Sequence, residues 1–114
     1  FATLIYSDKG KTVIEVSSKR LFKDKKAEFT KEAFVYLDKV CDAIRESNFL
    51  PFAVQALDTE ADLSSSRQQA VIQYLSSKLF IPESQIVAST GGDVDKRGSV
   101  IAIIANGTPG GSGS

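Results

Sequence analysis

The run Val100–Ala105, VIAIIA, is apolar at all six positions. No other stretch constrains the fold as strongly. A strand with one wet face alternates apolar and polar residues, so a run without alternation predicts a strand covered on both faces. The chain is therefore expected to build around a sheet with this strand inside it.

Other segments fit around that strand. Leu4–Tyr6 and Thr12–Val16 are β-prone, and TVIEV is β-branched at most positions, which suits a pleated, half-buried surface. Asp8-Lys9-Gly10 between them is a turn signal, so either a hairpin or one strand with a lead-in is expected. Phe52–Leu57 reads as a strand with Phe52, Val54 and Ala56 on one side. Gln85–Ala88 reads as a short strand after Pro82, and Gly91–Gly98, GGDVDKRG, as a turn-rich loop.

Two segments carry helical spacing. Over Lys31–Glu46, Ala33, Leu37, Val40, Cys41 and Ile44 share one face while Lys39, Asp42 and Arg45 point away. Thr30 is a candidate cap, Glu32 lies in the first turn, and Asn48 and Pro51 end the helix. A second helix is expected from near Asp62 or Ser64 to about Leu79, burying Ala70, Val71, Tyr74, Leu75 and Leu79. Leu21-Phe22 and the charged KDKKAE form the loop before the first helix. The resulting class is α+β: a two-layer sandwich of βαβαββ order, a mixed sheet with two main helices on one face.

The 114 residues fit one domain, expected over 1–106 with its core at about 12–105. The tail 107–114, GTPGGSGS, reads as a flexible linker or cloning remnant. The chain opens on Phe1 and holds no methionine, as expected of a piece of a longer precursor, so any signal peptide, lipid anchor or membrane helix would lie outside it. No apolar run approaches a membrane span.

Several functions are disfavoured. Formal net charge is zero, which argues against a broad basic footprint for nucleic acid or for an anionic membrane. Histidine is absent and acidic residues are dispersed, so no metal site and no cofactor is expected. Cys41, the single cysteine, sits on a helix face as a small core residue and has no histidine to activate it. STGGD lacks the spacing and the lysine of a phosphate loop. No base–nucleophile pair can be assembled, and an enzyme is not expected.

Four stretches resemble the OmpA-like domain family. LFKDKKAEFTKEAFVYLDKVCDAI (Leu21–Ile44) is similar to the family's opening, where a phenylalanine near a strand end leads through a loop to a helix carrying LDK-A--I. LSSSRQQAVIQYL (Leu63–Leu75) resembles LS--RA-AV--YL, keeping Leu63, Ser64, Arg67, Ala70, Val71, Tyr74 and Leu75 in register. IPESQIVASTGG resembles IP--RI---GYG, and the final apolar strand sits where the family's last strand does. The likeness covers roughly Thr12 to Ala105.

The resemblance implies a non-catalytic periplasmic domain that grips the peptidoglycan stem peptide through diaminopimelate and tethers an envelope protein, such as an outer-membrane lipoprotein, to the wall. A zwitterion needs two opposite partners. In the family an arginine takes the carboxylate, which a planar fork can bond bidentately, and an aspartate takes the ammonium. Arg67 matches the arginine. The family's GHTD string is missing here, and the connection QALDTEADLSSSR is shorter than the family's. Asp58 lies on the aspartate if Ala53, Gln55 and Leu57 face inward, whereas Thr59 takes that place if Phe52, Val54 and Ala56 do. Asp62 is a third candidate, and Ser64 completes the set at the helix start, where exposed amides favour an anion. The alternative implied is a member that has lost this ligand and serves as an interaction part of a secretion system or flagellar motor, with other envelope proteins as partners.

Overall fold

The computed structural model describes residues 3–8, 10–47, 52–57, 61–89 and 99–105. Its elements are β1 (Thr3–Asp8), β2 (Lys11–Ser17), a single helical turn α1 (Ser18–Leu21), α2 (Ala33–Ser47), β3 (Phe52–Leu57), α3 (Ala61–Leu79), a 3₁₀ turn (Glu83–Gln85), β4 (Ile86–Ser89) and β5 (Val100–Ala105).

The five strands form one sheet in the order β1-β2-β5-β3-β4. The β3–β4 pair is parallel and the others are antiparallel, so the sheet is mixed. Parallel neighbours need a crossover, and α3 supplies it between β3 and β4. The last strand in sequence is the central strand in space. That placement explains why VIAIIA has no polar position: Val100, Ile101, Ala102 and Ile103 are all buried, on both faces.

The core lies between the sheet and the helices. Ile14 and Val16, Phe52 and Val54, Ile86, and Ile101 and Ile103 meet Leu37, Val40, Cys41 and Ile44 of α2 and Val71, Ile72 and Leu75 of α3. Each large side chain fully buried here contributes about 1.5–3 kcal/mol. The expected α+β sandwich with two main helices is the one that forms, and the apolar stripe of α2 is the one its spacing predicts.

Several details differ from the sequence reading. The N-terminal run is a full strand of a hairpin, which adds a strand to the βαβαββ order; Asp8 pairs with Lys11, and Gly10 has φ +80°, the region glycine adopts at no steric cost. The turn α1 has no periodic signal long enough to announce it. Helix α2 starts at Ala33, and the Thr30 hydroxyl donates to the Arg20 carbonyl at 2.7 Å. The fourth strand is shifted to Ile86–Ser89 by the 3₁₀ turn.

Helix α3 ends without glycine. The Ile81 N–H reaches back to the Ser76 carbonyl at 3.2 Å, and the Ser76 hydroxyl donates to the Ile81 carbonyl at 2.6 Å. This six-to-one closure needs a left-handed residue between helix and loop. Phe80 takes that place with φ +56°, its side chain 91% exposed. Asn48, Pro51, the loop at 91–98 and the tail at 107–114 lie outside the described residues.

Candidate functional site

Two of the candidate residues, Ser64 and Arg67, lie early in α3, where that helix faces the end of β3 and the loop at 22–30. That loop is closed locally. Phe22 and Phe29 pair as an antiparallel bridge, the Lys23 N–H bonds the Glu28 carbonyl at 2.9 Å, and the Lys26 N–H bonds the Lys23 carbonyl at 3.0 Å. Lys25 turns the tip with φ +55°. The Lys23 ammonium and Glu28 carboxylate meet at 2.9 Å across the mouth, which holds the Glu28 carboxyl below its ordinary value, chiefly through the Lys23 hydrogen bond and charge.

Arg67 rises into this loop from α3. Its Nε donates to the Lys26 carbonyl at 2.9 Å and an Nη to the Lys23 carbonyl at 3.2 Å, while the guanidinium carbon lies 5.0 Å from the centre of the Phe22 ring. The residue is only 6% exposed. The two carbonyls come from positions more than forty residues upstream. The guanidinium thus ties the loop that enters α2 onto α3. Because α3 begins at Ala61, Arg67 lies in the second turn, beyond the first-turn zone where the helix dipole repels a cation.

Two neutral groups fasten the same helix to the sheet. The Ser64 hydroxyl donates to the Ala56 carbonyl at 2.6 Å, and the Gln68 side-chain amide donates to the Val54 carbonyl at 2.7 Å. Ser64, Arg67 and Gln68 therefore share one inward face, each satisfying a backbone carbonyl of another segment. Buried carbonyls need such partners. Asp62, in the first turn, is exposed. Asp58 and Thr59 lie outside the described residues. The structure brings Ser64 and Arg67 to one corner and leaves Asp62 on the rim of the helix.

Strand β3 settles the direction of its own side chains. Phe52 and Val54 are fully buried in the core, and Ala56 packs against it. This is the parity that the apolar pattern predicts. It is also the parity assumed by one of the two alignments, the one that lays Thr59 on the family's aspartate position; Asp58 and Thr59 themselves lie outside the described residues. Gln68 is the residue sequence reasoning missed. A glutamine on a helix is ordinarily a surface residue, and its buried role depends on a carbonyl fourteen positions away.

The Cys41 thiol is buried, and burial pushes its pKa above the ordinary value, which disfavours the thiolate a nucleophile needs. Among the described residues, no group of three or more His, Cys, Asp or Glu side chains could hold a metal ion, and no helix is long and apolar enough to cross a membrane.

A mixed five-stranded sheet with its last strand central, and two helices packed on it, is the fold of OmpA-like domains. The cell wall anchor of the T6SS from Pseudomonas aeruginosa superposes with a TM-score of 0.77 over 92% of this chain and 87% of that one, at 16% identity. The periplasmic domain of Helicobacter pylori MotB (residues 78–256) gives 0.72 over 92% and 82%, at 12% identity. The OmpA-like domain of FopA1 from Francisella tularensis gives 0.66 over 94% and 80%, at 16% identity. No family model and no curated protein sequence matches the chain. At these identities the likeness is one of fold.

Proposed function

We propose that the chain is a non-catalytic OmpA-like module of a cell-envelope assembly, working in the periplasm through protein contacts, in which the arginine of the LS--R motif has become a structural tie. The observation that carries this reading is the state of Arg67: buried, stacked on Phe22 and donating to the carbonyls of Lys23 and Lys26. A carboxylate anchor must present its fork to an incoming ligand, and two of its donor positions here serve the chain's own loop. The inward parity of Phe52, Val54 and Ala56 in β3, which accords with laying Thr59 on the family's aspartate position, supports the same reading.

A second reading is retained because one structural neighbour is a cell wall anchor. In it the same corner grips the diaminopimelate of the stem peptide, with Arg67 on the carboxylate, Asp58 or Thr59 on the ammonium, and Asp62 and Ser64 beside them. Titrating diaminopimelate into isotope-labelled protein separates the two. Silence across residues 58–67, together with failure to sediment with purified sacculi, is the result expected. Saturable shifts clustered at 58–67 that disappear in an Asp58→Asn, Asp62→Asn double variant would overturn the first reading in favour of the second.

A further inference from the structure

We infer that the outer edge of β1 is a self-pairing surface through which two copies of this chain join antiparallel, extending two five-stranded sheets into one. Among the described residues β1 is the end strand of the sheet, paired only with β2. Every second residue of an edge strand directs its N–H and C=O groups away from its neighbour, a template for another strand. Folded proteins ordinarily blunt such an edge with lysine, proline, a bulge or a very short strand. None of these devices is present in Thr3–Ser7. The register to β2 runs unbroken from Thr3 opposite Val16 to Asp8 opposite Lys11, and no charge occurs before Asp8. Ile5 is 61% exposed and Leu4 39%, whereas Tyr6, on the face of Leu4, is half-buried and donates to the Glu15 carboxylate at 2.7 Å.

The occupant follows from the strand's own order. A two-fold axis through Ile5 sets each residue opposite the one at equal distance on the other side. The sequence Thr3-Leu4-Ile5-Tyr6-Ser7 is chemically symmetric about that centre: Ile5 meets Ile5 of the second copy, Leu4 meets Tyr6, and Thr3 meets Ser7. Directly opposed residues in an antiparallel pair point to the same face, so apolar meets apolar and hydroxyl meets hydroxyl. The axis opposes no like charges within the five pairs. At roughly 3.4 Å per residue the seam is short. Its area falls at the low end for protein interfaces, below about 1,200 Å², and the dimer is accordingly weak in dilute solution. It forms where tethering raises the local concentration to about the millimolar range. A two-fold pairing closes on itself, which separates it from open-ended strand aggregation.

Sedimentation equilibrium of the full chain across a concentration series to about 1 mM, the range that short tethers impose, tests the inference. A reversible monomer–dimer equilibrium is expected, with the Ile5→Lys variant showing at least a tenfold weaker dimer while its melting transition and circular dichroism stay those of the parent. A chain that remains monomeric throughout, or a dimer whose strength Ile5→Lys leaves unchanged, overturns the proposal. The register has its own readout. Thr3→Cys and Ser7→Cys chains should cross-link faster when mixed than either does alone, because opposed backbone positions lie about 4.5–5.5 Å apart. Equal rates would refute the two-fold through Ile5.

Discussion

Two residues hold conformations or environments that their type does not favour, and each gives a sharp expectation. Phe80 adopts the left-handed conformation that closes α3, with nearly all of its ring in solvent. A side-chain-bearing residue there bears about 1–2 kcal/mol of strain that glycine avoids. Phe80→Gly should therefore stabilise the protein by up to about 1 kcal/mol, since glycine's greater unfolded-state entropy returns part of the gain. Urea unfolding measures this, and a loss of stability would show that the exposed ring makes contacts the geometry does not indicate. Arg67 is the opposite case, an ionised group kept inside by carbonyl partners. Removing it strands the Lys23 and Lys26 carbonyls, and hydrogen bonds to charged groups are worth about 1.5–3 kcal/mol each. Arg67→Met should lower stability by about 2–4 kcal/mol, with Arg67→Lys recovering only part, because an ammonium cannot reproduce the fork. A ligand-facing arginine would change stability little, so an unchanged midpoint would sink the structural role given to it.

At the scale of elements, the two helices show what sequence can and cannot reveal. Every apolar residue assigned to the inner face of α2 is buried there, because its apolar period is uninterrupted and its polar links to α3, through Asp38 and Arg45, lie on the exposed flank. In α3 the spacing finds Val71 and Leu75 but misses Ile72, and it sets Ala70 and Tyr74 deeper than they lie. The reason is that Ser64, Arg67 and Gln68 occupy inward positions as hydrogen-bond donors to Ala56, Val54 and the 22–30 loop. Those partners are distant in sequence, and no local period encodes them. The same gap limits the candidate site: Arg67 could be singled out by its motif, whereas its direction could not. Strand parity was legible, since Phe52, Val54 and Ala56 alternate cleanly. Two substitutions compare the two kinds of helix packing. Leu37→Ala in α2 should destabilise by about 2–5 kcal/mol through cavity formation. Ser64→Ala in α3 should destabilise by only about 1 kcal/mol, yet it should speed amide exchange selectively in the first two turns of α3. Uniform exchange along α3 in that variant would show that the Ser64–Ala56 link does not anchor the helix start.

For the molecule as a whole, α2 and α3 meet at a polar and aromatic seam whose chemistry makes stability depend on pH. The Tyr74 hydroxyl donates to the Asp38 carboxylate at 2.8 Å, Phe29 and Phe34 pack their rings on Tyr74, and Arg45 of α2 donates to the Lys78 carbonyl near the end of α3 at 2.7 Å. Burial, reinforced by the hydrogen bond to Asp38 and its charge, pushes the Tyr74 hydroxyl up to about 12 from an ordinary value of 10.0. The folded protein therefore keeps a proton that the unfolded chain releases. Folding stability falls with rising pH wherever the folded state binds more protons. The contribution of Tyr74 is thus complete below about pH 10 and is lost as pH climbs through about 12. Other groups titrate in the same range, so the diagnostic quantity is the difference between the parent and Tyr74→Phe. That variant should unfold at lower urea concentration than the parent at pH 8, and the gap should narrow as pH is raised from 9.5 to 11.5. A gap that stays constant across this window would mean that the hydroxyl titrates alike in the folded and unfolded chains, and that the Asp38 bond does not join the two helices.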